Sequence, residues 1–157
     1  MRRPTLVCSF ILVAALAAFA CSSDSNHDKA VFSANLTGAA EVPPNVTTAS
    51  GSTTFDFDGD STVHFLIEVH AITRVTEARL FSGASGVTGP VRVNLFTGPT
   101  TGRMDGMLAQ GTFTASDVQG TSLDALLEEM RSGTAYVNVQ TGDNPDGAIR
   151  GQVQLMQ

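Results

Sequence analysis

Between residues 63 and 70 the chain alternates without a break: Val63, Phe65, Ile67 and Val69 on one side of an extended backbone, His64, Leu66, Glu68 and His70 on the other. Successive side chains of a strand point to opposite faces, so this spacing puts four apolar groups into a core and leaves the histidines and Glu68 outside. A helical winding would scatter the same positions around its surface. Shorter stretches of similar character, rich in Val, Thr and Phe, predict further strands at 31–36, 53–57, 77–81, 91–95, 107–114, 134–140 and 148–155. The punctuation between them is that of turns. Asp58, Gly59 and Asp60 predict a hairpin, Pro43 and Pro44 keep residues 41–45 out of any central strand, and glycine and proline mark loops at 83–90 and 98–102.

One segment departs from the period of two. Leu123, Leu126, Leu127 and Met130 recur at helical spacing, Thr121 or Ser122 supplies an N-cap, Asp124 and Arg131 suit the two ends of the dipole, and Gly133 follows as a C-terminal cap. The fold class expected is therefore all-β, an immunoglobulin-like or Greek-key β-sandwich or barrel, with one short α-helix at about 122–132 covering an edge or an end of it.

The first thirty residues follow other rules. Arg2 and Arg3 precede an apolar run over 6–19, which is shorter than the roughly 20 residues of a spanning helix and has the form of an export signal. Residues 1–20 are read as a signal peptide, 21–29 as a flexible tether and 30–157 as one β domain. Two readings of the cleavage compete. Ala18, Phe19 and Ala20 fit ordinary signal peptidase, while the same residues followed by Cys21 resemble a lipobox, in which the cysteine is acylated and becomes the first mature residue. Cys8 would leave with the signal, so Cys21 would have no disulfide partner, which favours lipidation. Ser22 stands where an aspartate would retain a bacterial lipoprotein at the inner membrane, so the outer membrane is the expected destination where one exists. Residues 22–29 are small and polar, suited to holding a domain off a bilayer.

Removal of Arg2 and Arg3 leaves seven basic residues against fifteen acidic, a net charge of −8. Such a surface argues against nucleic acid as a partner. Candidate chemistry is sparse. Glu68 and His70 are about 7 Å apart on one strand face, but His64 is roughly 20 Å from His70 along the strand, so the three cannot close a metal site by themselves. Asp56, Asp58 and Asp60 lack the remainder of a calcium loop and its terminal glutamate, and a polar hairpin is the better reading. No nucleophile elbow or phosphate loop is present. Asn35 and Asn45 begin glycosylation tripeptides. Arg150, between Ile149 and Gly151, is placed on the outer face of the last strand, where with Glu41 or Glu77 it would tie that strand into the fold.

Three groups of residues together resemble the CHRD (chordin) domain: Phe32, Ala34, Leu36, Gly38, Glu41, Val42, Pro43 and Pro44; Gly83, Gly86, Gly89, Pro90 and Val91; and the closing run of Gly133, Tyr136, Val137, Asn138, Val139, Thr141, Asn144, Pro145, Gly147, Ile149, Arg150, Gly151 and Gln152. The resemblance implies an immunoglobulin-like sandwich or barrel, found in exported bacterial proteins of unassigned role and as repeats in an extracellular binder of growth factors, with no established enzymatic activity. Within these runs Arg150, Glu41, Tyr136 and Asn138 are assigned structural parts. Members commonly carry histidines where this chain has Arg79, Phe81 and Gln140, and a glutamate where it has Ala148. With those ligands replaced, neither a metal nor a cofactor is expected, and the face bearing Arg79, Phe81 and Gln140 becomes the candidate binding surface. The expectation is a non-catalytic module, anchored at the cell envelope or secreted, that binds an extracellular or envelope partner or serves a structural role. The alternative is a metal-dependent or hydrolytic envelope enzyme with a degenerate histidine motif.

Overall fold

A computed structural model describes residues 28–156. Cys21, the expected signal and most of the tether lie outside the described residues. The described residues form nine strands: β1 (Ala30–Thr37), β2 (Ser50–Phe57), β3 (Val63–Thr73), β4 (Val75–Ser82), β5 (Val91–Thr97), β6 (Arg103–Phe113), β7 (Ala135–Thr141), β8 (Ile149–Gln152) and β9 (Gln154–Leu155). Among the described residues a single α-helix, α1 (Leu123–Arg131), and two short 3-10 turns, at Gly38–Ala40 and Ala115–Asp117, interrupt them. All pairings are antiparallel, in the order β5-β4-β7-β8-β1-β2-β3-β6, with β9 also on β1. The outer members β5 and β6 approach each other, so the sheet curls into a nearly closed barrel around one core. The all-β class with one short helix is what the alternation predicts. Among the described residues no helix is long and apolar enough to cross a membrane.

The inner face carries the periodic residues. Val63, Ile67 and Val69 of β3 are fully buried, Phe65 partly so, and His64, Glu68 and His70 are exposed. They pack with Phe32 and Leu36 of β1, Phe55 and Phe57 of β2, Leu80 of β4, and Val137 and Val139 of β7. The strand runs on to Thr73, past its predicted end, through a bulge in its pairing with β6. There Ala71 adopts φ 55° and its N–H donates to Asp105 Oδ1 at 2.8 Å. The acidic hairpin is built as a turn around Asp58, whose Oδ1 accepts from the N–H groups of Asp60, Ser61 and Thr62.

Helix α1 buries Leu123, Leu126, Leu127 and Met130 and begins at Ser122, whose hydroxyl accepts from Ala125 N–H at 3.2 Å. Its lead-in covers the free side of β5: Gln119 N–H donates to Arg92 O, and Arg92 also pairs with Glu129 of the helix. The predicted last strand, 148–155, is in fact two. β8 lies between β7 and β1, Val153 N–H still donates to Ala135 O of β7, and β9 keeps only β1, at Phe32 and Ser33.

The close approach of β8 to β1 depends on Gly151, where a Cβ would run into the backbone carbonyl of Asn35 and lie 2.9 Å from Leu36 Cδ2. Gly151→Ala is therefore expected to cost about 2 kcal/mol through overpacking. The urea midpoint measures it, and an unchanged midpoint would mean that the two strands have room to spare.

Candidate functional site

Directly opposed residues of antiparallel strands share a face. Across β4, β7 and β8 the pairs are Glu77 with Gln140, Arg79 with Asn138, Phe81 with Tyr136, Asn138 with Arg150, and Tyr136 with Gln152. Their neighbours Leu80, Val137 and Ile149 point into the core, so this set forms the outer face of the barrel wall. An outer face is ordinarily wet, yet Tyr136, Asn138 and Arg150 are buried, because loops 38–45, 83–90 and 142–147 fold over it. The first is a tight turn in which Glu41 N–H and Asn45 N–H both donate to Gly38 O, and Asn45 Nδ2 donates to Ala148 O at 3.1 Å. The amide of one glycosylation tripeptide is thus engaged inside the fold.

Arg150 is 2 % exposed. Its Nη2 donates to Ala84 O at 3.1 Å and Val87 O at 2.8 Å, and its Cζ lies 3.4 Å from the centroid of the Tyr136 ring. Phe81 stacks on Tyr136 with centroids 5.0 Å apart and planes 5° from parallel. Since β4 and β8 flank β7 on opposite sides, the tyrosine is layered between phenyl and guanidinium. Its hydroxyl accepts from Gly89 N–H at 3.3 Å. Two residues on, Gln152 Nε2 donates to Gly83 O and Gly133 O. Arg150 thus fixes the 83–90 loop rather than a carboxylate. Glu77 is not its partner: it sits opposite Gln140 and pairs with Arg79 of its own strand. Glu41 feels the charge of Arg150 without a direct ion pair.

Glu41 and Asn138, 6 % and 5 % exposed, meet where the first loop crosses β7. Asn138 Nδ2 donates to Glu41 Oε2 at 3.0 Å and to Asp146 O at 3.4 Å. A Cβ at Gly147 would lie 2.5 to 2.6 Å from both carboxyl oxygens and from Asn138 Nδ2, so bare backbone caps the pair. Glu41 Oε1 and Asn138 Oδ1 are buried without a donor. Burial pushes the Glu41 carboxyl up from 4.5 to about 7, against the opposing pull of Arg150, the Asn138 amide and Val42 N–H.

Beside this pair lies a cleft of about 330 Å³, with Phe81, Tyr136, Asn138, Gln140 and Arg150 on its floor and Glu41 and Pro43 on one wall. Beyond that wall is a second hollow of about 300 Å³, lined by Pro44, Asn45 and residues 143–147. Of the three residues singled out as a binding face, Phe81 and Gln140 line the cleft, whereas Arg79 does not and is held by Glu77. The lining residues there carry two carboxyls (Glu41 and Asp146), two amides, two aromatic rings and a guanidinium already engaged with carbonyls, which is the chemistry of hydrogen-bonded recognition. Gly147 and Gln152 stand in the closing run of the resemblance but were given no part in a site, and the carbonyls of Ala84 and Val87 were missed. Gln152 was reachable from its two-residue offset to Arg150. Elsewhere, His64, Glu68 and His70 stand exposed on β3, and among the described residues no three His, Cys, Asp or Glu side chains come together as cation ligands.

Fold and site define a small all-β module: a nearly closed antiparallel barrel whose outer wall carries a covered polar cluster next to an open cleft. No curated protein and no solved structure matches the chain. The family model of the CHRD domain matches residues 32–153, and the chain belongs to the CHRD domain family.

Truncation of Arg150 to Ala would remove a buried guanidinium together with its hydrogen bonds to Ala84 O and Val87 O and its face contact with Tyr136. The expected cost is about 3 kcal/mol, or roughly 10 °C in melting temperature for a domain of this size. Arg150→Lys keeps the charge but not the planar stack and should recover only part of it. A melting curve of Arg150→Ala that overlays the wild type would free the residue from this structural part.

Proposed function

We propose that this CHRD-domain chain is exported, held at the cell envelope by a lipid on Cys21, and acts there as a non-catalytic module that binds an extracellular or envelope macromolecule through the cleft over β4, β7 and β8. The observation that carries the binding reading is where the cleft lies relative to the tether. The tether enters β1 at Ala30, and the loop bearing Glu41 and Pro43 leaves β1 after Thr37. Seven residue steps of strand separate the two ends, about 23 Å. A domain anchored through its N-terminus therefore carries the cleft on the end away from its attachment, accessible to a partner approaching from outside. The acidic balance of the chain, −8 once Arg2 and Arg3 are removed, favours a protein or glycan partner over nucleic acid.

Anchoring is tested by the intact mass of the protein extracted from membranes. A diacyl or triacyl increment on Cys21 is expected, and a soluble protein with an unmodified residue 21 would refute the anchor. For binding, the labelled domain is expected to bind saturably to cells lacking their own copy. Gln140→Trp, which fills the cleft, should weaken that binding at least tenfold, while Met107→Trp, exposed on β6, should not. Equal binding by the two variants would move the contact elsewhere, and stoichiometric Zn, Cu or Ca in the purified protein would favour a metal-dependent enzyme instead.

A further inference from the structure

The unsatisfied atoms of the buried cluster are not scattered. Glu41 Oε1 and Asn138 Oδ1 belong to the two groups already joined by the bond from Asn138 Nδ2 to Glu41 Oε2. Both are acceptors, and each one buried without a donor is unfavourable by its full desolvation cost. A single hydrogen between them satisfies both. The second hydrogen of Nδ2 is used by Asp146 O, so the amide has none left to offer. Gly147 closes the space on one side with bare backbone, and on the other side Glu41 and Asn138 border the cleft.

We propose that Glu41 and Asn138 form a proton-operated latch, in which Glu41 Oε1 carries a proton from solvent and donates it to Asn138 Oδ1, closing a cyclic carboxyl–amide pair that holds residues 41–45 down on β7. The latch rests on its own geometry, and only its consequence for the cleft rests on the function proposed above. Loss of the proton leaves a buried carboxylate with one oxygen lacking any donor. The charges around it cannot rescue it equally well. From β8, Arg150 favours the carboxylate but is committed to Ala84 O, Val87 O and the Tyr136 ring. From the β7–β8 loop, Asp146 is exposed and of the wrong sign, and Asp143 is paired with Arg74. From β4, Arg79 is paired with Glu77, and from β7 the Tyr136 hydroxyl is engaged by Gly89.

Deprotonation thus loosens the segment that forms the wall shared by the two hollows. Glu41, Val42 and Pro43 line both, so their movement joins the two into one groove. The sign follows from the raised carboxyl: closure is strongest below the ordinary value of 4.5 and is lost as pH rises through about 7.

Two measurements on the full chain test this. The Glu41 side-chain carboxyl carbon, followed by NMR, is expected to titrate near neutrality, and the Asn138 side-chain amide resonances should move with it. Hydrogen-exchange protection of Asn45 N–H, which bonds Gly38 O inside the latched loop, is expected to fall by about tenfold per pH unit between pH 5 and 7 relative to Glu41→Gln. The amide introduced by Glu41→Gln would supply a permanent N–H to Asn138 Oδ1 in place of the proton and keep the loop closed at every pH. Titration of Glu41 in the ordinary carboxylate range overturns the latch, and so does a Glu41→Gln protein whose loop opens with the same pH dependence as the wild type. Were that variant not to fold, the NMR titration alone decides. A cleft that binds no partner in cells would refute the proposed function and leave both measurements unchanged.

Discussion

Burial of β7 and β8 on both faces governs the rest of the structure. In an open barrel wall one face is apolar and the other is solvated, and polar side chains on the outer face need no partner but water. Here three loops remove that water, so each polar group beneath them has to be satisfied by the protein itself. Arg150 answers with carbonyls and an aromatic ring, Gln152 with two more carbonyls, and Tyr136 with a backbone N–H. These bonds are also what hold the loops down. The cover and the groups it covers therefore stabilise each other, and neither would persist alone.

The two halves of the cluster differ in how completely they meet this demand. Around Arg150 the charge is permanent and its donors reach peptide oxygens, whose partial charges suit a guanidinium without a second full charge in the interior. Around Glu41 a group that can be charged is placed where charge is costly, and two of the acceptor atoms are left over. A shift from 4.5 to about 7 is equivalent to about 3 kcal/mol between the two protonation states, a large share of the stability of a domain this size. A carboxyl kept in that position is one whose neutral form the fold has been shaped to accept.

How far the sequence discloses this depends on the range over which each interaction acts. Alternation at Val63, Phe65, Ile67 and Val69 is local, and it marked the strand, its buried face and the all-β class; the cap at Ser122 and the apolar stripe from Leu123 to Met130 likewise placed α1 within a residue of its bounds. The break between β8 and β9 was not legible, because nothing in residues 148–155 states that the pairing with β7 ends while that with β1 continues. For the site, the resemblance drew attention to Glu41, Tyr136, Asn138 and Arg150, but their pairing was hidden. Glu41 and Asn138 are 97 positions apart, and Arg150 reaches carbonyls more than sixty positions away, which carry no side-chain signature at all. Pairing Arg150 with Glu77 failed for the same reason: composition offers the carboxylate as the obvious partner, whereas register sets Glu77 beside Gln140 and within reach of Arg79.

The cleft inherits this asymmetry. Its floor is the layered stack of Phe81, Tyr136 and Arg150, three groups on adjacent hydrogen-bonded strands whose positions are set by register and packing, and such a floor moves little. The wall formed by residues 41–43 has no ladder behind it; it hangs from Gly38 at one end and from the contacts of Asn45 at the other, with the Glu41–Asn138 pair between. A recognition surface with a rigid floor and one compliant wall can fix the orientation of what it binds through the floor while adjusting its width through the wall. In this chain the compliance is concentrated at a single carboxyl, so the shape of the site and the protonation of Glu41 are one variable.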